Sequence, residues 1–569
     1  MRKKTIHVKL LALSLMSGVA LFCSCNDNDY EFGEIDTTIG IGGDKLEIPV
    51  SSTDVIKLAD VLELEGNDCI VEAENGDYMF RQEGEEVAPV AVTIAPITLN
   101  STRSNVYEIP FSSMAASNTT RAVSAGLKAQ GKAFDFDYKY TKPAEVVNLE
   151  ESEVDTHITL KTTLPTGLSS IDKLTLTFPK YMVIKEGNGY QLKDNTVTFA
   201  NVTSGTKTVS FSKIDFTQGG SDIIVQPTMI EMKGAVVLEA EVSQIPTSFP
   251  TNANLKVEVS LGNLQLKTAT GYFKPTINLT DLGNVSISSV PDFLKGGNVN
   301  VDLYNPQITL SVGNDMNVEG VIAGTITAYK DNRQTAQVKV DNIKIAAGKT
   351  SKICICRNAA GITGFDQVIA VPTLSTLINR IPDKLSFAAT AEANEKEKGS
   401  FEFGKQYLIK PAYSVEAPIA FAENAVIEYK DTLDGWNDDL EDLQLAENSY
   451  LLATATVENG VPAYLSVEAI PVDVNHQPIS TDELEVMVDG NIAASKDGKT
   501  TVDSPLSVKL VQKKDDAVKK LDGIVFLVSG KANGTDGAVT GITLNSQKHA
   551  LKLKDVKIQL VGRVIGNFN

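Results

Sequence analysis

The stretch Leu255-Lys256-Val257-Glu258-Val259-Ser260-Leu261 alternates apolar and polar residues without a break. Because successive side chains of a β-strand point to opposite faces, this alternation predicts a strand with one face on a core and one in water. The same period recurs at residues 174–178 and 299–303, and turn-forming pairs such as Gly219-Gly220 separate the runs. Short strands at this spacing favour antiparallel sandwiches. We therefore predict an all-β chain of tandem antiparallel β-sandwich-like modules.

The length of the chain indicates several domains, and its charge argues against one class of partner. The chain has 569 residues, 42% of them hydrophobic, which is long enough for about three to four domains with separate cores. Residues 1–24 carry four basic residues and no acidic one, so the rest of the chain holds 48 Lys and Arg against 72 Asp and Glu. An acidic surface repels phosphate backbones, which argues against nucleic acid as a partner.

Residues 1–24 have the pattern of a secretory leader. A basic start is followed by a mostly apolar run at 10–22, which is too short to span a bilayer comfortably and has the length of a signal-peptide core. The sequence Phe22-Cys23-Ser24-Cys25 follows. It resembles the lipobox of bacterial lipoproteins, in which a small residue precedes the lipidated cysteine. The resemblance implies lipidation of Cys25 rather than Cys23, and attachment to a membrane through this N-terminal lipid.

An acidic tether follows Cys25. Asp27, Asp29 and Glu31 lie directly behind it, where they resemble the export signal of Bacteroidota surface lipoproteins. The resemblance implies an uncharacterised lipoprotein of the outer membrane, exposed on the cell surface. The other interpretation is a solvated spacer that is acidic without being a signal.

The chain divides by pattern into seven segments. Residues 99–131 are rich in Ser, Thr, Asn and Ala and lack a strand pattern, as a linker does. The predicted segments are a signal peptide (1–24), an acidic tether (25–44), an N-terminal β unit (45–98), a Ser/Thr-rich linker (99–131) and β-sandwich modules at 132–245, 246–410 and 411–569.

A weak internal repeat pairs residues 301–312 with residues 456–467. Each copy has a strand, a break in which an asparagine (Asn305 or Asn459) lies near a proline, and a second strand. This pattern resembles the strand–Asn-Pro–strand segments of late-embryogenesis-abundant-type β-sandwich domains. The resemblance implies related β modules at about 250–400 and 410–569.

Beyond the leader, the cysteines are Cys69, Cys354 and Cys356. Three is an odd number, so they cannot form a complete disulfide framework. Cys354 and Cys356 would face the same side of a strand, where a bond between them has poor geometry. We predict small buried side chains rather than a metal site.

The sequence contains no recognisable catalytic motif: G-x-S-x-G, H-E-x-x-H, Walker A and paired C-x-x-C are all missing. The densest polar segment contains Asp431, Asp434, Trp436 and Asp438, a candidate calcium or ligand loop whose spacing does not match an EF-hand. A solvated loop or a helix N-terminus is the favoured interpretation. We assign no catalytic residue, no metal ligand and no cofactor.

The resulting hypothesis is a non-enzymatic, lipid-anchored cell-envelope protein that serves as an adhesion, assembly or binding scaffold for an unknown protein or glycan. The alternative is a glycan-binding lipoprotein of a polysaccharide-uptake system. The low aromatic content, 6% with one tryptophan, counts against that alternative, because sugar platforms need exposed rings. An enzyme is the third hypothesis, and a pocket with paired carboxylates would be its sign.

Overall fold

A computed structural model confirms the all-β prediction, with 58% of residues in strands and 5% in helices. It describes residues 38–41, 46–62, 64, 69–99, 103–110, 127–243, 253–279, 283–288, 290–440, 443–445, 447–562 and 564–567. The predicted signal peptide, lipidation site Cys25 and export residues Asp27, Asp29 and Glu31 lie outside the described residues. None of the helices in the described part of the chain has the length and apolar character needed to cross a bilayer.

The strands fall into an N-terminal segment, here called the strap (residues 38–110), and module A (127–273). The strap holds β1 (Thr38–Ile41), β2 (Leu46–Ser51), β3 (Ile56–Lys57), β4 (Ile70–Glu72), β5 (Tyr78–Glu83), β6 (Val90–Val92), β7 (Thr98–Leu99) and β8 (Arg103–Pro110). Module A holds β9 (Leu127–Thr141), β10 (Val146–Val154), β11 (His157–Thr163), β12 (Ile171–Thr177), β13 (Met182–Ile184), β14 (Gln191–Lys193), β15 (Thr196–Val202), β16 (Gly205–Asp215), β17 (Ile223–Val225), β18 (Met229–Val242), β19 (Asn254–Leu261) and β20 (Leu264–Phe273).

Two further modules follow, B (276–418) and C (426–567). Module B holds β21 (Thr276–Ile277), β22 (Asn284–Ser286), β23 (Gln307–Asn314), β24 (Gly320–Lys330), β25 (Arg333–Ile345), β26 (Thr350–Cys356), β27 (Gln367–Ala370), β28 (Lys384–Ala393), β29 (Gly399–Glu402) and β30 (Tyr407–Pro418). Module C holds β31 (Val426–Leu433), β32 (Leu443–Leu445), β33 (Tyr450–Asn459), β34 (Tyr464–Val472), β35 (Leu484–Asp489), β36 (Asn491–Ile492), β37 (Val502–Gln512), β38 (Gly523–Lys531), β39 (Asn533–Gly534), β40 (Gly537–Ala538), β41 (Ala550–Val561) and β42 (Val564–Asn567).

Helices are short. In the part of the chain that the structure describes, the α-helices are α1 (Leu58–Leu62) in the strap and α2 (Asn437–Leu440) in module C. The 3₁₀-helices are Phe216–Gln218, Asp292–Leu294, Leu374–Leu377 and Ala517–Lys520.

Modules A, B and C repeat one six-stranded sandwich. In each module the first strand pairs with the fourth and sixth strands in one sheet, and the second strand pairs with the third and fifth in the other. The six strands, in chain order, are β11, β12, β15, β16, β18 and β19 in module A, β23, β24, β25, β26, β28 and β30 in module B, and β33, β34, β36, β37, β38 and β41 in module C. All these pairings are antiparallel. Outside this unit, the parallel pairing of β26 with β27 extends one sheet of module B.

The strap adds a strand to the sixth strand of every module. β2 and β3 pair with β41 of module C, β5 and β6 pair with β30 of module B, and β8 pairs with β19 of module A, all antiparallel. The chain therefore runs past the modules in the order C, B, A before it folds them in the order A, B, C. Each sixth strand would otherwise be a sheet edge with unpaired N–H and C=O groups, so the strap also covers three edges.

The modules stack head to tail through the turn that follows the first strand. In module C this turn contains Val461 and Ala463, which are buried in the core shared with module B. In module B the turn contains Val318, which packs against Gly399 of β29, and β29 pairs with β20 of module A. Among the described residues no module lies beyond the matching turn of module A, and its residues Thr166 and Gly167 are exposed.

Local patterns predicted the strand faces well. Leu255, Val257, Val259 and Leu261 of β19 are all buried, as their alternation predicts. The apolar phase of β41 shifts at Asp555, which adopts a positive φ of 53°, and the register against β33 shifts beside it. This is the geometry of a β-bulge, which keeps the apolar set facing the core.

The predicted segment boundaries need correction. Residues 45–98 are not a separate β unit, because their strands pair with modules C and B. Part of the predicted linker at 99–131 is strand β8. The boundary at 245 falls inside module A and the boundary at 410 falls inside β30. Pairing between strands far apart in sequence leaves no local pattern, so these boundaries could not be placed from the sequence.

Candidate functional site

Modules B and C share a buried asparagine at the end of their first strand. Asn314 Nδ2 donates to the carbonyl oxygens of Val318 and Ala346, both at 3.0 Å, and Asn314 Oδ1 accepts from Met316 N at 3.0 Å. The three contacts tie the turn after the first strand to the end of the third. Asn314 is buried, so its amide needs all of these partners.

Asn459 makes the same contacts in module C. Its Nδ2 donates to Ala463 O at 3.1 Å and Ala493 O at 2.8 Å, and its Oδ1 accepts from Val461 N at 2.8 Å. We call these two networks the asparagine clasps. They make Asn314 and Asn459 equivalent, which gives a residue-by-residue alignment of the two first strands.

The clasps correct the repeat predicted from sequence. Asn305 was matched to the break that contains Asn459, but it does not occupy the clasp position. Its Nδ2 instead donates to Asn358 O at 2.9 Å, and its Oδ1 accepts from Asn358 N at 2.8 Å. Because a proline follows Asn305, the sequence comparison matched Asn305 to Asn459, whereas the equivalent residue is Asn314. The usable signal is an asparagine at the end of an alternating strand, with an apolar residue two positions later, and no proline is needed.

The core of module B is filled. Ile308, Leu310 and Val312 of β23 point into the space between the sheets and are buried. Phe387 and Tyr413 meet above them, with ring centroids 4.2 Å apart. The remaining void between the two sheets is about 30 Å³. This is the dense packing expected of a protein interior.

The core of module C is open. Counting back from Asn459, the positions of Ile308 and Leu310 are taken by Ala453 and Ala455. The sixth strand β41, which pairs with β33 in the same sheet, contains no aromatic residue. A cavity of about 210 Å³ lies between the two sheets, lined almost entirely by apolar side chains. An empty cavity of that size would destabilise the module by about 5 kcal/mol, judged from the penalty per unit volume measured in mutant cores.

The strap and module B close the cavity on two sides. Leu58, Val61 and Leu62 of helix α1 line the cavity where the edge strand β31 faces the strap. The helix is held in place by a hydrogen bond from Leu58 N to His549 O of 2.9 Å. Phe293 and Phe421 of the segments around module B close one end. The side wall is thus one short helix rather than a sheet.

The charged groups at the cavity are acidic. Glu428 and Asp431 of β31 belong to its lining, and the described residues that line it include no Lys, Arg or His. Glu428 accepts a hydrogen bond of 3.1 Å from Asn298 Nδ2, and Asp431 accepts one of 2.8 Å from Thr432 N. Almost none of the cavity wall itself is polar, so an anionic occupant would lose its hydration without gaining a hydrogen-bond or cationic partner there.

The predicted calcium or ligand loop packs against one end of module C. Trp436 is half-buried against a small core cluster that includes Leu440 and Val518, and its backbone N–H donates to Asp522 O at 2.9 Å. The ring is therefore a packing element rather than a free platform for a sugar. Helix α2 begins at Asn437, within the segment for which the sequence favoured a solvated loop or a helix N-terminus.

The described acidic residues of this loop are not gathered into a group that could hold a metal ion. Asp431 lies within strand β31, whereas the exposed Asp434 lies 3.7 Å from Nδ1 of His476. Asp438 is exposed in α2. In the part of the chain that the structure describes, no three His, Cys, Asp or Glu side chains come together to hold a metal ion. The strand and the turn direct these carboxylates to separate surroundings, which the sequence spacing could not show.

The three thiols beyond the leader are buried, as predicted. Cys354 and Cys356 lie on β26, where their Sγ atoms are 3.8 Å from Gln307 Oε1 and 3.7 Å from Ile369 O. Burial raises the pKa of Cys354 to about 12. Because the thiolate is the reactive form, these cysteines are unreactive at neutral pH.

A buried ion pair fixes the connection between modules B and C. Asp302 is almost completely buried and accepts from Arg357 Nη1 at 2.8 Å. Its other carboxylate oxygen lies 3.4 Å from Asn424 N and Asn424 Nδ2, just before β31 of module C. A buried carboxylate with these partners holds the two modules in a defined relation.

Comparisons with known proteins add little. No protein-family model matches the sequence, and no curated protein is similar to it. Among solved structures, a "putative secreted protein" of Parabacteroides distasonis is 15% identical over 52% of this chain and 90% of its own, with a TM-score of 0.36. A chain of the T13 particle of the virus IBDV is 9% identical over 90% of this chain and 86% of its own, with a TM-score of 0.14. Likenesses this weak carry no functional argument.

Proposed function

We propose that the protein is a non-enzymatic, lipid-anchored scaffold of the outer cell surface, which holds module A away from the membrane for a protein or glycan partner. The observation that carries the proposal is the order of strap contacts. Strand β1, the first described element of the chain, pairs with β42 of module C. An anchor at Cys25 would therefore lie at module C, and the stack would lead away from it through module B to module A.

The exposed turn of module A supports this polarity. The corresponding turns of modules B and C are buried in the stack, so the module A turn is the end of the series. Leu168 N donates to Pro165 O at 3.1 Å and Leu164 N donates to Ser204 Oγ at 2.9 Å, so this turn has a defined shape. A rigid turn at the end of a scaffold is suited to contact with a partner.

The anchor is tested by labelling cells with a palmitate analogue. We expect incorporation into the wild-type protein and the Cys23→Ala variant, and none into Cys25→Ala. Label retained by Cys25→Ala would contradict the lipidation site.

The polarity is tested with single cysteines on the lipidated protein. Thr166→Cys lies in the module A turn, and Val474→Cys lies beyond β34, at the end of module C where Asp522 N donates to Val472 O. Val474 is 55% exposed, whereas the three native thiols beyond the leader are buried and stay unlabelled. On intact cells, an impermeant maleimide dye should label both variants. A quencher embedded in the membrane should then dim the dye at position 474 more than the dye at position 166. Equal quenching, or labelling only after lysis, would contradict the proposal.

A further inference from the structure

The open core of module C has the features of a ligand site rather than of a packing defect. Its sheets, strand order and clasp match those of module B, whose core is closed. Strand β33 presents Ala453 and Ala455 at positions where β23 has larger aliphatic side chains, yet the surrounding sheets have not moved together to fill the space. The cavity is therefore present in a module whose strand pairing and clasp match those of module B.

From this comparison we infer that module C binds an uncharged apolar molecule, such as a hydrocarbon chain or an aromatic hydrocarbon, between its two sheets. The cavity of about 210 Å³ corresponds to roughly seven water volumes at liquid density. Its walls offer few hydrogen-bond partners, and apolar cavities of this kind stay dry and accept apolar guests.

The composition of the cavity lining selects against anions. Glu428 and Asp431 are the charged residues among the described lining residues, and both are acidic. A fatty acid carboxylate or a sulfonate would lose its hydration in a site of low polarity that offers no cationic side chain among its described lining residues, which disfavours binding. An uncharged molecule has no such penalty. The occupant is therefore an uncharged apolar molecule and not a free fatty acid.

Helix α1 gives the site an entrance. The wall between β31 and β41 consists of one short helix, whose residues Leu58, Val61 and Leu62 are all only half-buried. Opening this wall breaks few contacts compared with separating two strands. The ligand can therefore enter from the side without unfolding the module.

The test uses two dyes that differ by one sulfonate: neutral N-phenyl-1-naphthylamine and anionic 8-anilinonaphthalene-1-sulfonate. The protein is the full chain from residue 26 onward, purified without detergent. We expect saturable binding of one neutral dye per chain with increased fluorescence, and binding of the anionic dye at least about tenfold weaker. No binding of the neutral dye, or equal binding of both dyes, would overturn the inference.

Variants locate the site. Ala453→Ile combined with Ala455→Leu introduces the module B side chains, and we expect affinity for the neutral dye to fall at least about tenfold. Ala370→Leu, at an exposed position of β27, is the matched control and should bind like wild type. Unchanged affinity in the filled variant would overturn the inference.

A charge variant keeps the test decisive if the filled variant does not fold. Glu428→Gln combined with Asp431→Asn leaves the cavity shape nearly intact, and we expect affinity for the anionic dye to rise at least about fivefold while affinity for the neutral dye stays unchanged. No rise in anionic-dye affinity would show that these carboxylates do not select the ligand.

Discussion

Modules B and C have the same six strands and the same asparagine clasp, yet module B fills the space between its sheets and module C does not. The void is about 30 Å³ in module B and about 210 Å³ in module C. The difference lies in a few side chains: Ile308 and Leu310 against Ala453 and Ala455, and Phe387 with Tyr413 in module B. Strand pairing and clasp contacts thus define the sandwich, whereas the core side chains determine whether the space between the sheets is packed or contains a cavity.

The largest expected effect comes from opening module B. Leu310→Ala should destabilise it by about 3 kcal/mol, because the removed side chain is buried and the sheets cannot close over the space. Three modules do not unfold as one two-state unit, so hydrogen exchange of peptides from each module is the suitable measurement. We expect faster exchange in module B and unchanged exchange in module C. A loss below about 1 kcal/mol would mean that module B is less tightly packed than described.

The clasps should matter equally in both modules. Asn314→Ala and Asn459→Ala each leave one buried backbone N–H and two buried carbonyl groups without their partner. We expect a loss of about 2 kcal/mol in the affected module, seen as faster hydrogen exchange there. Asn305→Ala is the control, since its partners lie at an exposed site, and it should have little effect. A loss confined to one clasp variant would break the equivalence of the modules.

Filling the cavity of module C should stabilise module C, whereas opening the core of module B should destabilise module B. Ala455→Leu adds apolar volume to an existing void, so we expect module C to gain about 1–2 kcal/mol, measured by slower exchange of its peptides. Ala389→Leu in the filled core of module B is the matched control and should destabilise through overpacking. Destabilisation by Ala455→Leu as large as that of the control would show that module C is already packed.

The smallest effect is a pH dependence confined to module C. His549 is buried, and this burial lowers its pKa below the ordinary value of 6.5. The unfolded chain then binds the proton more readily, so stability is full above pH 6.5 and falls as the pH drops below it. We expect the melting temperature of module C to be lower at pH 5.5 than at pH 7.5, and to change less in His549→Gln. The exposed His476 provides the control, because His476→Gln should keep the wild-type pH response.

Sequence predicted those features of the fold that depend on neighbouring residues. The buried face of β19 followed from apolar alternation, and the bulge at Asp555 lies where the apolar phase of β41 shifts. The strap did not, because pairings such as Leu46 with Leu560 and Arg103 with Leu261 join strands far apart in sequence and leave no local period. The predicted bounds of the N-terminal β unit, the linker and the modules differ from the observed strand pairing for the same reason.

The cavity was not predicted either, although its cause is visible once the modules are aligned. Ala453 and Ala455 are ordinary strand residues by themselves, and their meaning depends on the equivalent residues of module B. That alignment rests on Asn314 and Asn459, which their hydrogen bonds identify as equivalent. The sequence comparison missed this equivalence because it matched the Asn-Pro pair at residue 305 instead. Trp436 drew attention as the only tryptophan, but its ring packs against the core of module C.

The most direct test of the difference between modules B and C is a crystal structure of the chain from residue 26 onward under xenon pressure. Xenon enters apolar cavities and reports their position without relying on a chosen ligand. We predict a xenon site in module C between Ala455 of β33 and Val467 of β34, and no site between the sheets of module B. A closed, xenon-free core in module C, or equal occupancy in both modules, would contradict the account.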